Sequence, residues 1–229
     1  SRKTKFRSVD SCIEELKFII KDFGIERFMF FDDTFTLNKK WVTEFCEKIS
    51  KLDVKWRCFV RADKVDRELL KMMKGAGCAE IGVGVESGSQ KILDIMNKKT
   101  KVEDNTKCRQ LCKEIGVLFK AFIIIGCPGE TVDTFQETRK WILENKPDKY
   151  SIFVFTPYPG THFFKNKEKY DYQLTEEYDY SKLWCGGIMS DQVSVSRTST
   201  LSSQQICDLR NNLLIELKEK GLDDLNNIL

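Results

Sequence analysis

The chain has 229 residues, 41% hydrophobic and 32% charged, with a formal net charge of +3; this is an ordinary globular composition, long enough for a full core without disulfide or metal staples. The near-balanced charge argues against the concentrated basic face of a nucleic-acid binder, and the longest apolar run, 121–126, is far too short to cross a bilayer. Nine cysteines, an odd number scattered through the segments, read as reduced and mostly buried thiols; with no recognisable leader, the expected compartment is the cytoplasm.

Apolar runs alternate with amphipathic stretches along the chain. Val9, Cys12, Ile13, Leu16, Ile19, Ile20 and Phe23 fall on one helical face. Ser11 followed by Glu14 has the spacing of a capping box, and Gly24 lies where a helix-ending glycine belongs. The run at 27–31 predicts a strand buried on both faces. A helix over 39–50 turns Trp41, Val42, Phe45, Cys46 and Ile49 inward, and a strand follows over 54–60. A short helix over 66–74, ended by Gly75 and Gly77, leads to a strand over 79–85. Helices over 90–96 and 103–115, a strand over 118–125, a helix over 132–144 and a strand over 150–155 complete the series. Strand–helix repeats of this kind imply an α/β fold of parallel β/α units with right-handed crossovers. The chain opens on a helix, so the sheet has no obvious first strand. Residues 162–202 read as loop-rich and 203–220 as a helix, which divides the chain into a core over 1–161 and an extension over 162–229.

In parallel β/α architectures ligands lie beyond the carboxyl ends of the strands. There the sequence places Asp32 and Asp33, then Arg61 and Asp63, then Glu86 and Ser87, then Gly126, Pro128 and Glu130, then Thr156, Pro157 and Tyr158. Each has a plainer reading beside the functional one. Asp33 or Asn38 is suited to capping the next helix, and Arg61 to a structural ion pair with Asp32, Asp63 or Glu86. Cys108 and Cys112, four apart, have metal-ligand spacing but sit beside Leu111 and Ile115 as core residues do. The chain has one histidine, His162, and no phosphate loop or nucleophile elbow. Tyr158, Tyr178, Tyr180 and Trp184 are suited either to packing or to an apolar substrate wall.

The succession FRSVDSCIEELKFIIKDFGIERFMFFDDTFTLNKKW, RCFVRAD, GVESGS, FIIIGCPGET and TPYPGT closely resembles the radical S-adenosylmethionine enzymes, in particular the branch that often carries an N-terminal cobalamin-binding domain. The resemblance covers residues 5–161. It implies a partial (β/α) barrel and an enzyme that cleaves S-adenosylmethionine at a [4Fe-4S] cluster to a 5′-deoxyadenosyl radical, or that transfers methyl groups with cobalamin, on a small-molecule substrate. By the same resemblance Asp32 and Asp33 receive the methionine amino group, whose charge offsets their mutual repulsion. Glu86 and Ser87 lie near the ribose and sulfonium, Lys98 meets the methionine carboxylate, the Ile125–Gly126 backbone lines the adenine, and Arg61 holds a rim position. Phe122 stands where the family usually has glycine.

The sequence departs from the family pattern in lacking the CxxxCxxC triplet that ligates the cluster. The expectation is a piece of a larger enzyme, cut between cluster loop and first helix. Such a piece has no metal site, low affinity for S-adenosylmethionine, no activity of its own, and an open edge at 27–31 prone to self-association. Two other functions fit the residues: a hydrolase or lyase using Asp32, Asp33 and Glu86, and a non-catalytic domain of the same fold. Neither nucleic acid nor membrane is an expected partner.

Overall fold

The computed structural model describes residues 4–175 and 194–222. Five strands lie in the sequential order β1-β2-β3-β4-β5, and the pairs β1–β2, β2–β3 and β4–β5 are parallel. A sequential order without reversal is that of a barrel segment, whereas a doubly wound sheet has a switch point. The fold is therefore the α/β partial barrel expected from the sequence. The chain divides into two compact units, one comprising 4–83 and 108–119, the other 84–107 with 120–175 and 194–222.

The first unit contains α1 (Val9–Phe23), β1 (Arg27–Phe30), α2 (Lys39–Ile49), β2 (Lys55–Val60) and α3 (Arg67–Gly75), with the first part of β3 (Cys78–Glu86). The end of α5 (Val102–Ile115) and the start of β4 (Leu118–Ile125) complete it. Helix α1 starts one turn earlier than the predicted capping box requires. Ser8 is the N-cap and accepts from the Ser11 amide, while the Ser11 hydroxyl takes the Arg7 guanidinium and Glu14 pairs with Lys17. Gly24 closes the helix in the left-handed region at φ 64°, as expected. The apolar face of α1 is only partly used. Val9, Ile13 and Leu16 are buried, whereas Phe23 is 66% exposed and meets Phe18 edge-on.

Strand β1 corrects a further expectation, because it lies at the edge of the sheet and is half-buried rather than covered on both faces. Phe30 packs into an aromatic cluster with Phe35, Phe45 and Trp56, with ring centroids 5.3–5.7 Å apart. The contacts with Phe45 and Trp56 are edge-to-face, and such pairs add about 1 kcal/mol each to area burial. Along β2 burial alternates: Trp56, Cys58 and Val60 are buried, and Arg57 and Phe59 between them are half-buried. The lack of sequence alternation reflects an apolar or aliphatic stem at the second-face positions, not equal burial of both faces.

The second unit holds the remainder of β3 and β4, α4 (Gln90–Ile95), the start of α5, α6 (Val132–Asn145) and β5 (Lys149–Val154). Short elements α7 (His162–Lys165), β6 (Gln173–Leu174) and β7 (Ser196–Arg197) precede α8 (Ser203–Glu219). Strands β4 and β5 pair from Lys120↔Lys149 to Ile125↔Val154. Phe122 stacks on Phe153 with centroids 6.4 Å apart, and the Lys120 ammonium lies 5.5 Å from the Phe122 centroid. Helices α6 and α8 both open on capping boxes, at Thr131/Thr134 and Ser202/Gln205. The stretch read as loop-rich thus contains a helical turn and a two-stranded antiparallel pair.

Of the two candidate caps for α2, Asn38 takes the role, its side chain accepting from the Trp41 amide at 3.2 Å. Asn38→Ala is expected to cost about 1 kcal/mol in urea denaturation, whereas Asp33→Ala leaves stability within about 0.5 kcal/mol of the parent.

Candidate functional site

In the first unit, the strand end after β1 is set by Phe35. Buried in the aromatic cluster within a 3-10 turn at Phe35–Leu37, it fixes the chain direction just after Asp32, Asp33 and Thr34. Both aspartates are exposed, so water rather than a buried partner attends their charges. The Thr34 hydroxyl donates to the Asp33 carbonyl at 2.8 Å and tightens the bend. Beside them is a cavity of about 680 Å³, with Arg7, Cys12, Glu15, Asp32, Asp33 and Trp41 among its lining residues. Arg7 pairs with Glu15 at 2.5 Å, and the Trp41 indole donates to the Arg7 carbonyl at 2.7 Å, so the rim is held to the helix starts. After β2, Arg61 makes a two-point contact with Asp63, at 3.0 and 3.3 Å. Asp63 is thus a partner among the three that the sequence allowed.

In the second unit, β3 ends on Glu86, a non-glycine residue with φ 61°. Backbone in this region costs about 1 kcal/mol or more and is held by its surroundings. Here Lys98 supplies a holding contact: its ammonium lies 2.5 Å from Glu86 Oε1, with both side chains mostly covered. Gly84 makes room for the pair, because a Cβ there would lie 2.5 Å from Glu86 Oε1 and 2.8 Å from Lys98 Nζ. Ser87 is fully buried, its hydroxyl sharing a 2.8 Å hydrogen bond with Thr138 and accepting from the Ser89 amide. Thr138 also accepts from the Gly88 amide, so α6 braces the bend from behind. The structure therefore brings Glu86, Ser87 and Lys98 together at one strand end.

After β4, Ile125 is buried and its carbonyl accepts from the Phe155 amide at 2.8 Å. Gly126, at φ 82°, turns the chain, and a Cβ on it would collide with Ile206 of α8. The Gly126 and Cys127 amides both donate to Oε2 of Glu130, which is fully buried. Burial pushes the Glu130 carboxyl up to about 7, against the opposing pull of those two amides. Glu130 Oε1 has no hydrogen-bond partner among the described residues. Composition cannot reveal such a clamp. The available signal is the four-residue spacing from Gly126 to Glu130 across Pro128 and Gly129, which lets a carboxylate reach back to the strand end.

Cys108 and Cys112 are buried in α5, as core residues are. Tyr158 is exposed, whereas Tyr178, Tyr180 and Trp184 lie outside the described residues. Among the described residues no group of three or more histidine, cysteine or acidic side chains is placed to hold a metal. A [4Fe-4S] cluster needs three or four convergent thiolates, so the described residues do not fit one. No helix among them is long and apolar enough to cross a membrane.

The family profile described as Radical SAM superfamily matches residues 1–142. The anaerobic magnesium-protoporphyrin IX monomethyl ester cyclase of Cereibacter sphaeroides is 31% identical over 187 residues, which is 79% of this chain and 30% of that protein. An uncharacterised methyltransferase of Pyrococcus horikoshii is 31% identical over 166 residues, 72% of this chain and 36% of that protein. The chain thus spans about a third of the curated relatives it matches. Among solved structures, Escherichia coli coproporphyrinogen III oxidase superposes with a TM-score of 0.64 at 18% identity, over 93% of this chain and 46% of that one. The radical S-adenosylmethionine methyltransferase TsrM of Kitasatospora setae, with cobalamin and a [4Fe-4S] cluster bound, gives 0.59 at 18% identity, over 65% of this chain and 31% of that one. Both structural likenesses concern the fold.

A carboxyl raised in the folded state from 4.5 to about 7 binds its proton more tightly there than in the unfolded chain. Its contribution to stability is therefore complete below pH 4.5 and is lost as pH rises through 7. Urea denaturation from pH 4.5 to 8 is expected to show the parent losing roughly 3 kcal/mol relative to Glu130→Gln over this window, and a flat difference above it.

Proposed function

Since the chain belongs to the radical SAM superfamily, as its family match and its 31%-identical relative show, we propose that it is part of an enzyme using S-adenosylmethionine for radical chemistry or methyl transfer on a small-molecule substrate. The observation that carries the reading is the family match over residues 1–142, which takes in the strand-end positions Asp32, Asp33, Arg61, Glu86, Ser87, Lys98, Ile125 and Gly126. Methyltransferases among the relatives, and the cobalamin-containing TsrM among the structures, support the cobalamin-associated branch.

The residue roles are those the family resemblance implies, and the chemistry of the residues is compatible with them. In the first unit Asp32 and Asp33 present two solvated carboxylates to an ammonium, and Arg61, steadied by Asp63, serves the rim. In the second unit Lys98 offers a cation to a carboxylate and Glu86 offers acceptor oxygens to ribose hydroxyls, each pre-oriented by the other. Ser87 holds the bend on which Glu86 sits, its hydroxyl being engaged with Thr138. By the resemblance the Ile125–Gly126 backbone is the segment assigned to the nucleobase, and both residues are buried. S-Adenosylmethionine, when bound, supplies the transferable group. The described residues do not fit an iron-sulfur cluster. The open β1 edge supports self-association by strand pairing within the same reading.

Full-length protein reconstituted with iron and sulfide under anoxia, then reduced with S-adenosylmethionine present, is expected to yield 5′-deoxyadenosine or S-adenosylhomocysteine by chromatography. Neither product, in a preparation that carries a cluster, overturns the reading. Lys98→Ala is expected to weaken S-adenosylmethionine binding about tenfold in calorimetry, in line with the loss of one charged hydrogen bond.

A further inference from the structure

Three features of the second unit converge on the loop after β4. The Glu130 side chain is fully buried and takes both the Gly126 and the Cys127 amides on one oxygen. Its other oxygen has neither a donor nor a cation as partner among the described residues. Its own carbonyl accepts from the Thr198 and Thr200 hydroxyls, each at 3.0 Å, while the Gly129 amide donates to the Asp171 carbonyl at 3.0 Å. The loop backbone is thus clamped from outside by Asp171, Thr198 and Thr200 and from inside by one carboxyl group. Ile206 fills the space beside Gly126, so the turn has little freedom to relax without losing contacts.

We propose that Glu130 is a pH-responsive positioning residue, which as a carboxylate pins the Gly126 and Cys127 amides and so holds the end of β4 in the shape offered to a nucleobase. This rests on the reading that assigns the Ile125–Gly126 backbone to adenine. A carboxylate accepts from two amides at once; its protonated form is a weaker acceptor and adds a hydroxyl that no described neighbour accepts. Protonation therefore slackens the clamp. Burial places that change close to neutrality.

The charged groups on the surrounding elements are engaged with other partners. Glu86 at the end of β3 is paired with Lys98. The Asp171 carboxylate takes the Ser199 amide and hydroxyl, and Arg197 of β7 is held by Gln173. Arg210 of α8 donates to the Ile152 carbonyl. The remaining titratable neighbour, Cys127, is pushed well above its ordinary value by burial, with the Glu130 and Glu86 charges adding to the shift, and stays a thiol throughout the neutral range. Among the described residues the loop therefore answers to one group.

The test uses this chain, with the Gly126 and Cys127 amide resonances followed by NMR from pH 5.5 to 8.5 and adenosine as the nucleoside probe. The expected result is that both resonances move upfield together as pH falls, with a shared midpoint near 7, and that Glu130→Gln abolishes the titration. Adenosine is expected to bind several-fold more tightly at pH 8 than at pH 6 in the parent, and equally at both in Glu130→Gln. Thr198→Val removes a hydroxyl from the clamp without touching the carboxyl, and the amide titration is expected to survive it. Flat amide resonances in the parent, or an unchanged titration in Glu130→Gln, overturn the proposal. If adenosine shifts no resonance at 125–126 at either pH, the adenine assignment fails, while the amide titration still decides whether Glu130 clamps the loop.

Discussion

Parallel hydrogen bonding between successive strands is the constraint from which the rest of this structure follows. A parallel neighbour has to be reached by returning the chain to the starting end of the sheet, and that return is made here by helices α2, α3, α5 and α6. Strand β2 then buries alternate side chains, Trp56, Cys58 and Val60, while β3 and β5 each bury one charged residue, Glu80 and Lys149. Asp32 and Asp33, Arg61, Glu86 and the Gly126 turn stand at strand ends, where regular pairing stops.

The carboxylates at these ends meet the cost of their charge in three ways. Asp32 and Asp33 stay exposed to water, whose high dielectric weakens their mutual repulsion. Glu86 is mostly covered and has Lys98 against it, with a bare Gly84 leaving the space for both. Glu130 is buried without a cation, held by two backbone amides, and its carboxyl rises accordingly. The three settings differ in what surrounds the charge: water for Asp32 and Asp33, an ammonium for Glu86, and backbone amides for Glu130.

The second unit also shows how an extension without an obvious pattern is drawn into the core. Tyr172 buries itself against Phe155 and Cys127, and its hydroxyl reaches the Phe163 carbonyl at 2.8 Å. Thr198, Thr200 and Asp171 then fasten the loop after β4 from the far side. These contacts join residues some 40 to 70 positions apart, at distances that no local period predicts. The reading of this stretch as loop-rich carried no sign of this packing.

Local chemistry settled most of the architecture. Helical periodicity, the stop at Gly24, the alternation of strand and helix, and the polar residues after each strand were all present in the sequence, because they depend on neighbours within a few positions. Tertiary structure decided the rest. It chose Ser8 over Ser11 and Asn38 over Asp33 as caps, left β1 half-covered at a sheet edge, and paired Arg61 with Asp63. It also set Lys98 against Glu86 and closed Glu130 over the Gly126 and Cys127 amides. Burial and long-range pairing are properties of the assembled chain: a carboxylate's surroundings, and with them its charge, exist only once distant segments have packed around it.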